Sequence, residues 1–383
     1  MTAISAESRT RRLAELRGRT DAMLASLEDL VRTESPSADF DATARCATTL
    51  AAAGSALLGA PPERVEVEGR THLRWRFGPT RVAVIGHFDT VWPLGTVDRW
   101  PFAVNGGRAT GPGIFDMKAG AIQSLYGLSL LESLEGVCVL MTSDEELGSP
   151  TSRVLVEDAA RGALAALVAE PAARDGSYKT GRKGVSMYTI RLHGVAAHAS
   201  DPARGANAST ELARVLLRVE QLTDMDRGTT VTPTLLEGGV TQNTIPDRAW
   251  FYTDCRVVDL DEQQRVDRAM QALVSSNPRV RVEVSGGPNR PPFAVGLGEA
   301  LHQRAAGFAE EMGLPRVGGV HVAGGSDGNF TAAIGVPTLD GMGAVGDLAH
   351  GEGEYIDVAA MAERAALLAA LVEDLQQEAS ASG

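Results

Sequence analysis

Cysteine is scarce in this sequence. Only Cys46, Cys138 and Cys255 occur among 383 residues, and no two of them form a CxxC pair. An odd number of widely spaced cysteines argues against a disulfide framework and against a thiolate metal site. Cys138 and Cys255 lie in apolar runs, so we expect them to be inert thiols of the core.

Long apolar runs and an excess of positive charge are also missing. No segment approaches the ~18 consecutive apolar residues of a transmembrane helix, and the first residues are polar, unlike a signal peptide. Acidic residues outnumber basic ones by 49 to 36, which gives a net charge of −13. This balance argues against a nucleic-acid or anionic-membrane partner and fits a site that concentrates cations. We expect a cytoplasmic protein.

The chain has the composition of a globular protein, 44% hydrophobic and 22% charged, and its length predicts two domains. Strand-like and helical segments alternate up to residue 181, which favours βαβ units and a mixed, largely parallel sheet flanked by helices. Helices are predicted over 8–33, 40–59, 118–134 and 152–160, and strands over 65–68, 73–77, 82–85, 137–141 and 164–169.

The order of elements changes to βαββαβ after residue 182, which is the ferredoxin-like order. Joints rich in glycine and proline bracket this segment. We therefore predict a catalytic domain in two parts, 1–181 and 291–383, with an inserted ferredoxin-like α+β domain at 182–290. The inserted domain has predicted strands at 185–192, 231–236, 249–258 and 280–284, and helices at 207–222 and 261–274. Later helices are predicted at 297–312, 329–334 and 358–377, with a strand at 337–340.

Three consecutive carboxylates, Asp144, Glu145 and Glu146, follow an apolar run. Such a run between turn signals predicts a buried strand, and open α/β sheets bind ligands where their strands end. Adjacent carboxylates repel each other, so at least one of them needs a cation or a proton. A solvated acidic turn is the alternative interpretation.

His87 and Asp89 follow another apolar run and, two residues apart in extended chain, point to one face. A carboxylate beside an imidazole is how metal-binding histidines are oriented, although a hydrogen-bonded turn pair is the alternative. Asp116 precedes the predicted helix from residue 118. It suits a helix N-cap, a metal-bridging acid, or both.

Glu170 follows a third apolar run, and His350 lies in a glycine-rich loop. Two imidazoles and three carboxylates imply a divalent metal with N/O ligands, zinc first and manganese or cobalt as substitutes. Five ligands exceed one tetrahedral zinc with an open position, and sharing Asp116 between two ions resolves the count. The spare acid of the Glu145–Glu146 pair then becomes a general base.

The predicted inserted domain carries a second polar cluster, His198, Asn243 and Arg256. None of the three has an obvious partner among its sequence neighbours. They could bind the anionic end of a substrate and a developing oxyanion. Ordinary surface polarity is the alternative for each.

The chain resembles the zinc-dependent aminoacylase and glutamate carboxypeptidase family, which also holds acetylornithine and succinyl-diaminopimelate deacylases. The resemblance covers residues 30–375. It rests on Gly86-His-x-Asp89, Gly113-x-x-Asp116-x-Lys118, Asp144-Glu-Glu-x-Gly148 and His198-Ala-Ser200 in combination. The folate-cleaving, glutamate-releasing carboxypeptidases are the most similar type, through Gly111-Pro-Gly113, Gly324-Gly-Ser-Asp327 and Glu354-Tyr-Ile-Asp357.

The resemblance implies two zinc ions in each chain. Their ligands would be His87 and Glu170 on one ion, Glu146 and His350 on the other, and Asp116 as the bridge. A non-proline cis peptide bond would join Asp116 to Met117.

The resemblance also implies the remaining roles. Asp89 would orient His87, and Glu145 would be the general base. His198 would reach the active site of a partner subunit and stabilise the oxyanion, which implies a homodimer through the inserted domain.

The substrate-binding residues implied by the resemblance lie in the second half of the chain. Asn243 and Arg256 would bind the carboxylate of the leaving amino acid beside the backbone of Gly324 and Gly325. Lys179 is out of register with the lysine that glutamate-specific relatives carry, and Arg182 and Lys183 have no assigned role. The preferred side chain of the released amino acid therefore stays open.

The expected function is hydrolysis of the amide bond of an N-acyl amino acid, or of a C-terminal peptide bond, by a di-zinc metallohydrolase. The alternative is a small-molecule N-deacylase like the acetylornithine or succinyl-diaminopimelate deacylases, or an aminoacylase. A third hypothesis, a binding or scaffold protein without activity, predicts a missing ligand or base. All of those residues are present in the sequence.

Overall fold

A computed structural model describes residues 5–381, with side chains as far as residue 378. The chain divides into two compact units. The first contains the chain up to Gly181, Val295–Val322 and the chain from Ser326 onward. The second contains Arg182–Ala294 and Ala323–Gly325. The predicted second boundary, at 290, lies slightly before the observed one, and residues 323–325 belong to the second unit instead of the predicted catalytic domain.

Helices occur in both units. They are α1 (Ala6–Gly18), α2 (Thr20–Arg32), α3 (Phe40–Leu58), α4 (Thr96–Arg99), α5 (Ala119–Leu128), α6 (Arg153–Ala160), α7 (Ala208–Glu220), α8 (Leu260–Gln271), α9 (Glu299–Glu311), α10 (Gly328–Ala333) and α11 (Val358–Ala381). Two short turns, Ile114–Lys118 and Glu145–Leu147, lie between regular elements.

The strands form several sheets. They are β1 (Glu63–Val67), β2 (Arg70–Arg76), β3 (Val82–His87), β4 (Ala103–Asn105), β5 (Arg108–Thr110), β6 (Val137–Thr142), β7 (Ala165–Val168), β8 (Tyr178–Arg182), β9 (Gly184–His193), β10 (Ala197–His198), β11 (Thr230–Gly238), β12 (Thr244–Ile245), β13 (Arg248–Val257), β14 (Arg281–Arg290), β15 (Gly319–Val322), β16 (Thr338–Leu339), β17 (Gly346–Asp347) and β18 (Tyr355–Asp357).

Six strands form the main sheet of the first unit, in the order β1-β2-β6-β3-β7-β16. Strand β3 pairs in parallel with β6 and β7, and β16 in parallel with β7, whereas β1, β2 and β6 pair antiparallel. The predicted α/β fold with a mixed, largely parallel sheet is therefore confirmed. The central strands β3, β6 and β7 end on the same edge of the sheet.

The central strands β3, β6 and β7 are buried on both faces, as expected for parallel strands under helices. Alternate residues of β3 face opposite sides. Val82 and Val84 belong to the apolar cluster that includes α5 and α11, whereas Ala83 and Ile85 pack with α6 and α10. Strands β3, β6 and β7 therefore carry apolar runs and place polar residues only where they end.

A four-stranded sheet, β17-β18-β5-β4, holds two loops of the first unit together. Strand β18 pairs antiparallel with β5, with Ile356 opposite Ala109. The loop with His350 lies between β17 and β18, and the segment with Asp116 follows β5. The pairing thus brings two distant parts of the sequence to one place.

The second unit contains an antiparallel sheet in the order β11-β13-β9-β14, with α7 and α8 on one face. Its chain order, βαββαβ, is the predicted one. The apolar cluster under the helices includes Tyr188, Ile190, Leu192 and Phe251. Strand β11 lies at one edge of this sheet.

Two predicted helices were wrong in extent. The segment 8–33 forms two helices because the backbone leaves the helical conformation at Arg19, directly after Gly18. Helix α5 ends at Leu128, before the predicted residue 134. Leu130 and Leu131 then bond to the carbonyl oxygens of Gly127 and Leu128 in tighter turns. No helix within residues 5–381 is long and apolar enough to cross a membrane.

Candidate metal centre

The five expected metal ligands lie together in the first unit. His87 ends β3, Glu146 follows β6 in a short turn, and Glu170 comes two residues after β7. Because parallel strands β3, β6 and β7 end on the same edge of the sheet, the residues that follow them meet there. The β5–β18 pairing brings Asp116 and His350.

The ligand atoms form two groups. In the first, His87 Nε2 lies 3.2 Å from Asp116 Oδ1 and 3.4 Å from Glu170 Oε1. In the second, His350 Nε2 lies 3.3 Å from Asp116 Oδ2 and 3.1 Å from Glu146 Oε1. Each oxygen of Asp116 therefore faces a different imidazole, which is the geometry of a bridging carboxylate.

The residues around Asp116 fit a pair of metal ions. His87 Nε2 and Asp116 Oδ1 are buried polar atoms that make no hydrogen bond among the described residues. Buried polar groups are nearly always satisfied, and a divalent ion with N/O ligands satisfies this set. The peptide bond between Asp116 and Met117 is cis, as the family resemblance implied.

Electrostatics at the site favour added positive charge. Hydrogen bonds to the carboxylates of Asp116 and Glu146 raise the pKa of His350 to about 11. Burial lowers the pKa of His87, but its contacts with neighbouring carboxylates, Asp116 first, raise that pKa well above its ordinary value. Burial raises the pKa of Glu146. A metal ion would take the place of the protons that these groups attract.

Asp89 is fully buried and joins the two ligand groups. Its Oδ1 and Oδ2 accept the backbone N–H groups of Glu145 and Glu146, both at 3.2 Å. His87 Nδ1 lies 3.1 Å from the Asp89 carbonyl oxygen and 3.4 Å from its Oδ1. Nδ1–H therefore donates to Asp89, and Nε2 is left to bind a metal.

Glu145 is buried and belongs to neither ligand group. Its neighbour Asp144 has a structural position, since Asp144 Oδ2 accepts both the backbone N–H and the hydroxyl of Thr151 at 2.7 Å. Thr151 in turn lies 3.0 Å from His72 Nε2. Three consecutive acids thus occupy three different environments.

Glu354, named above only as part of a family motif and given no role, is fully buried beside the centre. Its Oε1 accepts the backbone N–H of Phe115 at 2.9 Å, and its Oε2 accepts the indole N–H of Trp92 at 3.0 Å. Burial raises the pKa of Glu354 to about 7. The signal for it was weak, because Glu354 precedes a strand of three residues instead of following a long apolar run.

The loop after β3, residues 91–100, which we name the Trp92 loop, is apolar and well anchored. Glu34 accepts the backbone N–H groups of Gly95 and Val97 at 2.8 and 2.9 Å. Trp92 and Trp100 make an edge-to-face contact with ring centroids 5.3 Å apart. Glu34 was not among the predicted site residues either, because it lies just after α2 and no motif or apolar run marks it.

The predicted oxyanion and substrate residues lie in the second unit. Strand β10 pairs with β12, and Ala199 N–H donates to the Asn243 carbonyl oxygen at 2.9 Å, so His198 and Asn243 lie on one short ribbon. His198 is exposed, and its Nδ1 accepts the backbone N–H of Ser200 at 3.2 Å. In a neutral imidazole whose Nδ1 accepts, the ring proton is on Nε2, so Nε2 of His198 is the hydrogen-bond donor.

The expectation that Arg256 lacks a partner among its sequence neighbours was wrong. Arg256 makes a two-pronged ion pair with Asp254, at 2.7 and 2.8 Å, because residues two apart on β13 share a face. Its Nη1 also lies 3.5 Å from the Ala323 carbonyl oxygen. Arg256 is therefore next to the 323–325 segment, and its charge is partly compensated.

Arg182 and Lys183, which had no assigned role, both donate hydrogen bonds to backbone carbonyl oxygens. Arg182 is buried, and its Nη1 donates to the carbonyl oxygens of Gly324 and Gly325 at 3.0 and 3.4 Å. Lys183 Nζ donates to the Gly228 carbonyl oxygen at 2.5 Å. The backbone of Gly324–Gly325 is thus fixed by Arg182.

The sequence pattern of the peptidase family M20/M25/M40 matches residues 83–374. The chain belongs to this family. The family that the motifs predicted is thereby confirmed, and the protein is a metal-dependent hydrolase with a candidate two-metal centre.

Two characterised relatives are similar in sequence. The chain is 31% identical over 312 residues to carboxypeptidase G2 of Pseudomonas sp. (strain RS-16), covering 78% of this chain and 74% of that protein. It is 30% identical over 348 residues to the succinyl-diaminopimelate desuccinylase of Paracoccus denitrificans (strain Pd 1222), covering 80% of this chain and 89% of that protein.

Solved structures show the same fold. A metallo-carboxypeptidase of the M20 family from Sulfolobus solfataricus superposes with a TM-score of 0.72 and 16% identity, over 92% of this chain and 98% of that one. A dinuclear metal binding peptidase of the M20 family from Bacillus subtilis has a TM-score of 0.64 and 15% identity, over 94% and 99%. At such identities the likeness concerns the fold alone.

Proposed function

We propose that this protein hydrolyses the amide bond of N-acyl amino acids, or the C-terminal peptide bond of small peptides, with two zinc ions per chain. One observation carries the proposal: two ligand groups share Asp116, and Glu145 stands beside them without belonging to either. A shared carboxylate suits two ions held close together, which is a recurrent device of metal-assisted hydrolysis.

The chain's own residues would do the following. When bound, the ions supply Lewis acidity for the scissile carbonyl and the attacking water. Glu145 receives the proton of that water and delivers it to the nitrogen of the leaving amine as the C–N bond breaks. Asp89 holds His87 in the Nδ1–H tautomer throughout.

Residues of the second unit are proposed for the other polar groups. We propose that the partner subunit's His198 donates its Nε2–H to the carbonyl oxygen as negative charge develops on it. Asn243 and Arg256 would bind the carboxylate of the leaving amino acid near Gly324 and Gly325. Asp254 engages the Nε and Nη2 atoms of Arg256, and Nη1 makes only a long contact of 3.5 Å with the Ala323 carbonyl oxygen, so Nη1 is the atom proposed to meet this carboxylate.

Exposed aliphatic side chains favour an apolar acyl group on the substrate. Val91 and Leu94 of the Trp92 loop, Leu147 beside Glu146, and Leu348 near His350 are 45–51% exposed. Three of them lie within two residues of a proposed site residue. Apolar groups around a few polar ones are the usual lining of small-molecule sites. An N-deacylase acting on acetyl or succinyl groups, as the desuccinylase relative suggests, is the second candidate.

We also propose a homodimer formed through the second unit. Edge strand β11 exposes two neighbouring apolar side chains, Leu235 and Leu236, at 60% and 66%. An exposed edge strand is a template for pairing with another chain, and a second copy would cover these side chains. Sedimentation of the protein at micromolar concentration, compared with a Leu235→Lys variant, tests this.

The catalytic roles are tested by two neighbouring substitutions. Glu145→Gln is expected to bind two zinc ions but to lose about 10²–10⁴-fold in turnover, because a general base is removed. Glu146→Gln is expected to lose zinc, because a ligand is removed. Metal content by mass spectrometry and turnover of both variants separate the roles. Retained turnover in Glu145→Gln would sink the base assignment.

The substrate class is tested by a panel with the metal-free enzyme reloaded with zinc, cobalt or manganese. N-benzoyl-glutamate, an N-acyl aromatic amino acid, N-acetylornithine and N-succinyl-diaminopimelate are compared by kcat/KM. We expect the benzoyl substrate to exceed the acetyl and succinyl ones. The reverse order establishes the deacylase candidate instead.

A further inference from the structure

Glu354 makes contacts that the proposed mechanism does not explain. It is a fully buried carboxylate directly before β18. Burying a charged group is costly unless it is hydrogen-bonded. Its two oxygens meet two donors from different segments, Phe115 N–H at 2.9 Å and Trp92 Nε1–H at 3.0 Å.

Each of the segments joined by Glu354 carries part of the candidate metal centre. Phe115 directly precedes Asp116. Trp92 comes three residues after Asp89, and Glu354 itself stands four residues after His350. One carboxylate thus joins three segments of the candidate metal centre, in addition to the β5–β18 pairing that already brings two of them together.

The chemistry of the two donors requires a carboxylate. Both partners donate, so the side chain between them must accept at two separate atoms and donate at none. Glutamine offers one acceptor oxygen, and its NH₂ group would then face either the indole N–H or the Phe115 N–H. An apolar side chain at position 354 would leave both donors without an acceptor.

We propose that Glu354 is a positioning residue, which fixes Phe115 and hence the bridging carboxylate of Asp116 relative to the Trp92 loop. The inference rests on the proposed two-metal function. Glu354 touches neither substrate nor metal and acts through the Phe115 backbone. It couples the position of Trp92, in the loop proposed to contact the acyl group, to the position of the bridge.

A swap of hydrogen-bond partners tests the proposal. Zinc is titrated into metal-free wild type, Glu354→Gln, Trp92→Phe and the double variant, with a chromophoric chelator as competitor. Glu354→Gln is expected to weaken zinc binding by about 10–100-fold, as is typical when a group supporting a ligand is altered. Trp92→Phe alone keeps the Phe115 contact and should bind zinc like the wild type.

The double variant gives the decisive result. Without the indole donor, glutamine needs to accept only from Phe115 N–H, so Glu354→Gln with Trp92→Phe is expected to regain most of the lost zinc affinity. If Glu354 only stabilised the fold, the losses of zinc affinity in Glu354→Gln and Trp92→Phe would add in the double variant. Additive defects, or normal zinc affinity in Glu354→Gln, would overturn the proposal.

A matched control and a second readout complete the design. Glu352→Gln removes the same charge from an exposed position of the same loop and should leave zinc binding unchanged. The fluorescence of Trp92, isolated as the difference between wild type and Trp92→Phe, should change as zinc binds. This readout needs no Glu354 variant. If two zinc ions bind to the wild type while the emission of Trp92 stays constant, Trp92 is not coupled to the bridging carboxylate. This conclusion holds even when Glu354→Gln does not fold.

The two proposals fail in different ways. A wild-type protein that binds fewer than two zinc ions contradicts the proposed function itself. A wild type that binds two ions, together with additive defects in the double variant, contradicts only the role of Glu354.

Discussion

Asp89 shows how one side chain can serve two ligand groups. It holds the Nδ1–H of His87 from one group and the backbone at Glu145 and Glu146 from the other. Each carboxylate oxygen accepts one of the two backbone N–H groups. These contacts therefore depend on both the negative charge and the shape of the Asp89 side chain.

Asp89→Asn is expected to impair both metal binding and stability. The amide NH₂ would face a backbone N–H, which costs about 1–3 kcal/mol of unfolding free energy when the donor is left unsatisfied. Zinc affinity should fall by about 10-fold or more, because His87 loses its support. Chelator competition and denaturant unfolding measure the two effects. Asp98→Asn, at an exposed position of α4, is the control, and wild-type zinc affinity in Asp89→Asn would refute the role.

The candidate ligands were predictable from sequence one by one. His87, Glu146 and Glu170 each follow a long apolar run, and such runs report both a buried strand and where it ends. Glu354 and Glu34 carry no such signal. Their importance comes from donors distant in sequence, such as Phe115 N–H for Glu354, which only the folded chain brings near.

At the scale of elements, two glycines in helices have opposite environments. A Cβ on Gly18, the last residue of α1, would meet nothing within 4 Å. A Cβ on Gly120, in α5, would overlap the carbonyl oxygen of Ala169, next to Glu170. The sequence alone shows that both glycines lie in predicted helices but does not show this difference in their surroundings.

Alanine substitutions at these two glycines should therefore have opposite effects. Gly18→Ala is expected to raise the unfolding free energy by about 0.5–1 kcal/mol, because alanine has less freedom to lose on folding. Gly120→Ala is expected to lower it by about 1–3 kcal/mol, because the backbone must move apart. Urea unfolding measures the free energy of unfolding of both variants. The slope of this free energy against urea concentration should stay unchanged. Equal effects would show that α5 is not in close contact with the strand end.

Helix boundaries were the weakest part of the sequence-based prediction at this scale. The apolar pattern continues through Arg19, so nothing in it reports the turn between α1 and α2. Short strands such as β17 and β18 were missed because two or three residues show no periodicity. Yet these strands carry the loop with His350 to the site.

At the scale of the whole chain, the order of elements was the strongest signal. The alternation of strands and helices predicted the mixed sheet, and the βαββαβ order appears in the second unit as expected. The return of residues 323–325 to the second unit was not predictable. It depends on the contacts of Arg182 and Arg256 with carbonyl oxygens, which leave no local pattern.

Acid sensitivity of the second unit is expected to depend on Glu211. This residue of α7 is buried and accepts hydrogen bonds from the Ser275 hydroxyl at 2.6 Å and the Ser276 N–H at 2.8 Å, beyond α8. Burial alone would raise the pKa of Glu211, but these bonds and Arg214 lower it to about 2. The folded state therefore binds the proton more weakly than an unfolded chain, whose glutamate pKa is about 4.3.

The sign of the pH effect follows from this difference. The contribution of Glu211 is complete above about pH 4.3 and is lost as the pH falls towards about 2. Glu211→Gln should destabilise the protein near neutral pH by about 1.5–3 kcal/mol, the value of hydrogen bonds to a charged group, and less at low pH. Unfolding of the variant and of an exposed control, Glu220→Gln, across this pH range tests it. A difference from wild type that does not shrink on acidification would contradict the assignment.

The unequal exposure of the two histidines has a kinetic consequence. The side chain of His87 is 2% exposed, whereas that of His350 is 50% exposed and lies in a loop. Although the proposed ions share Asp116, they would not share a route to solvent, so they should exchange at different speeds. Zinc-loaded protein placed in excess cobalt is expected to replace one ion quickly and the other slowly. A stable hybrid with two different metals could then be prepared by timing alone.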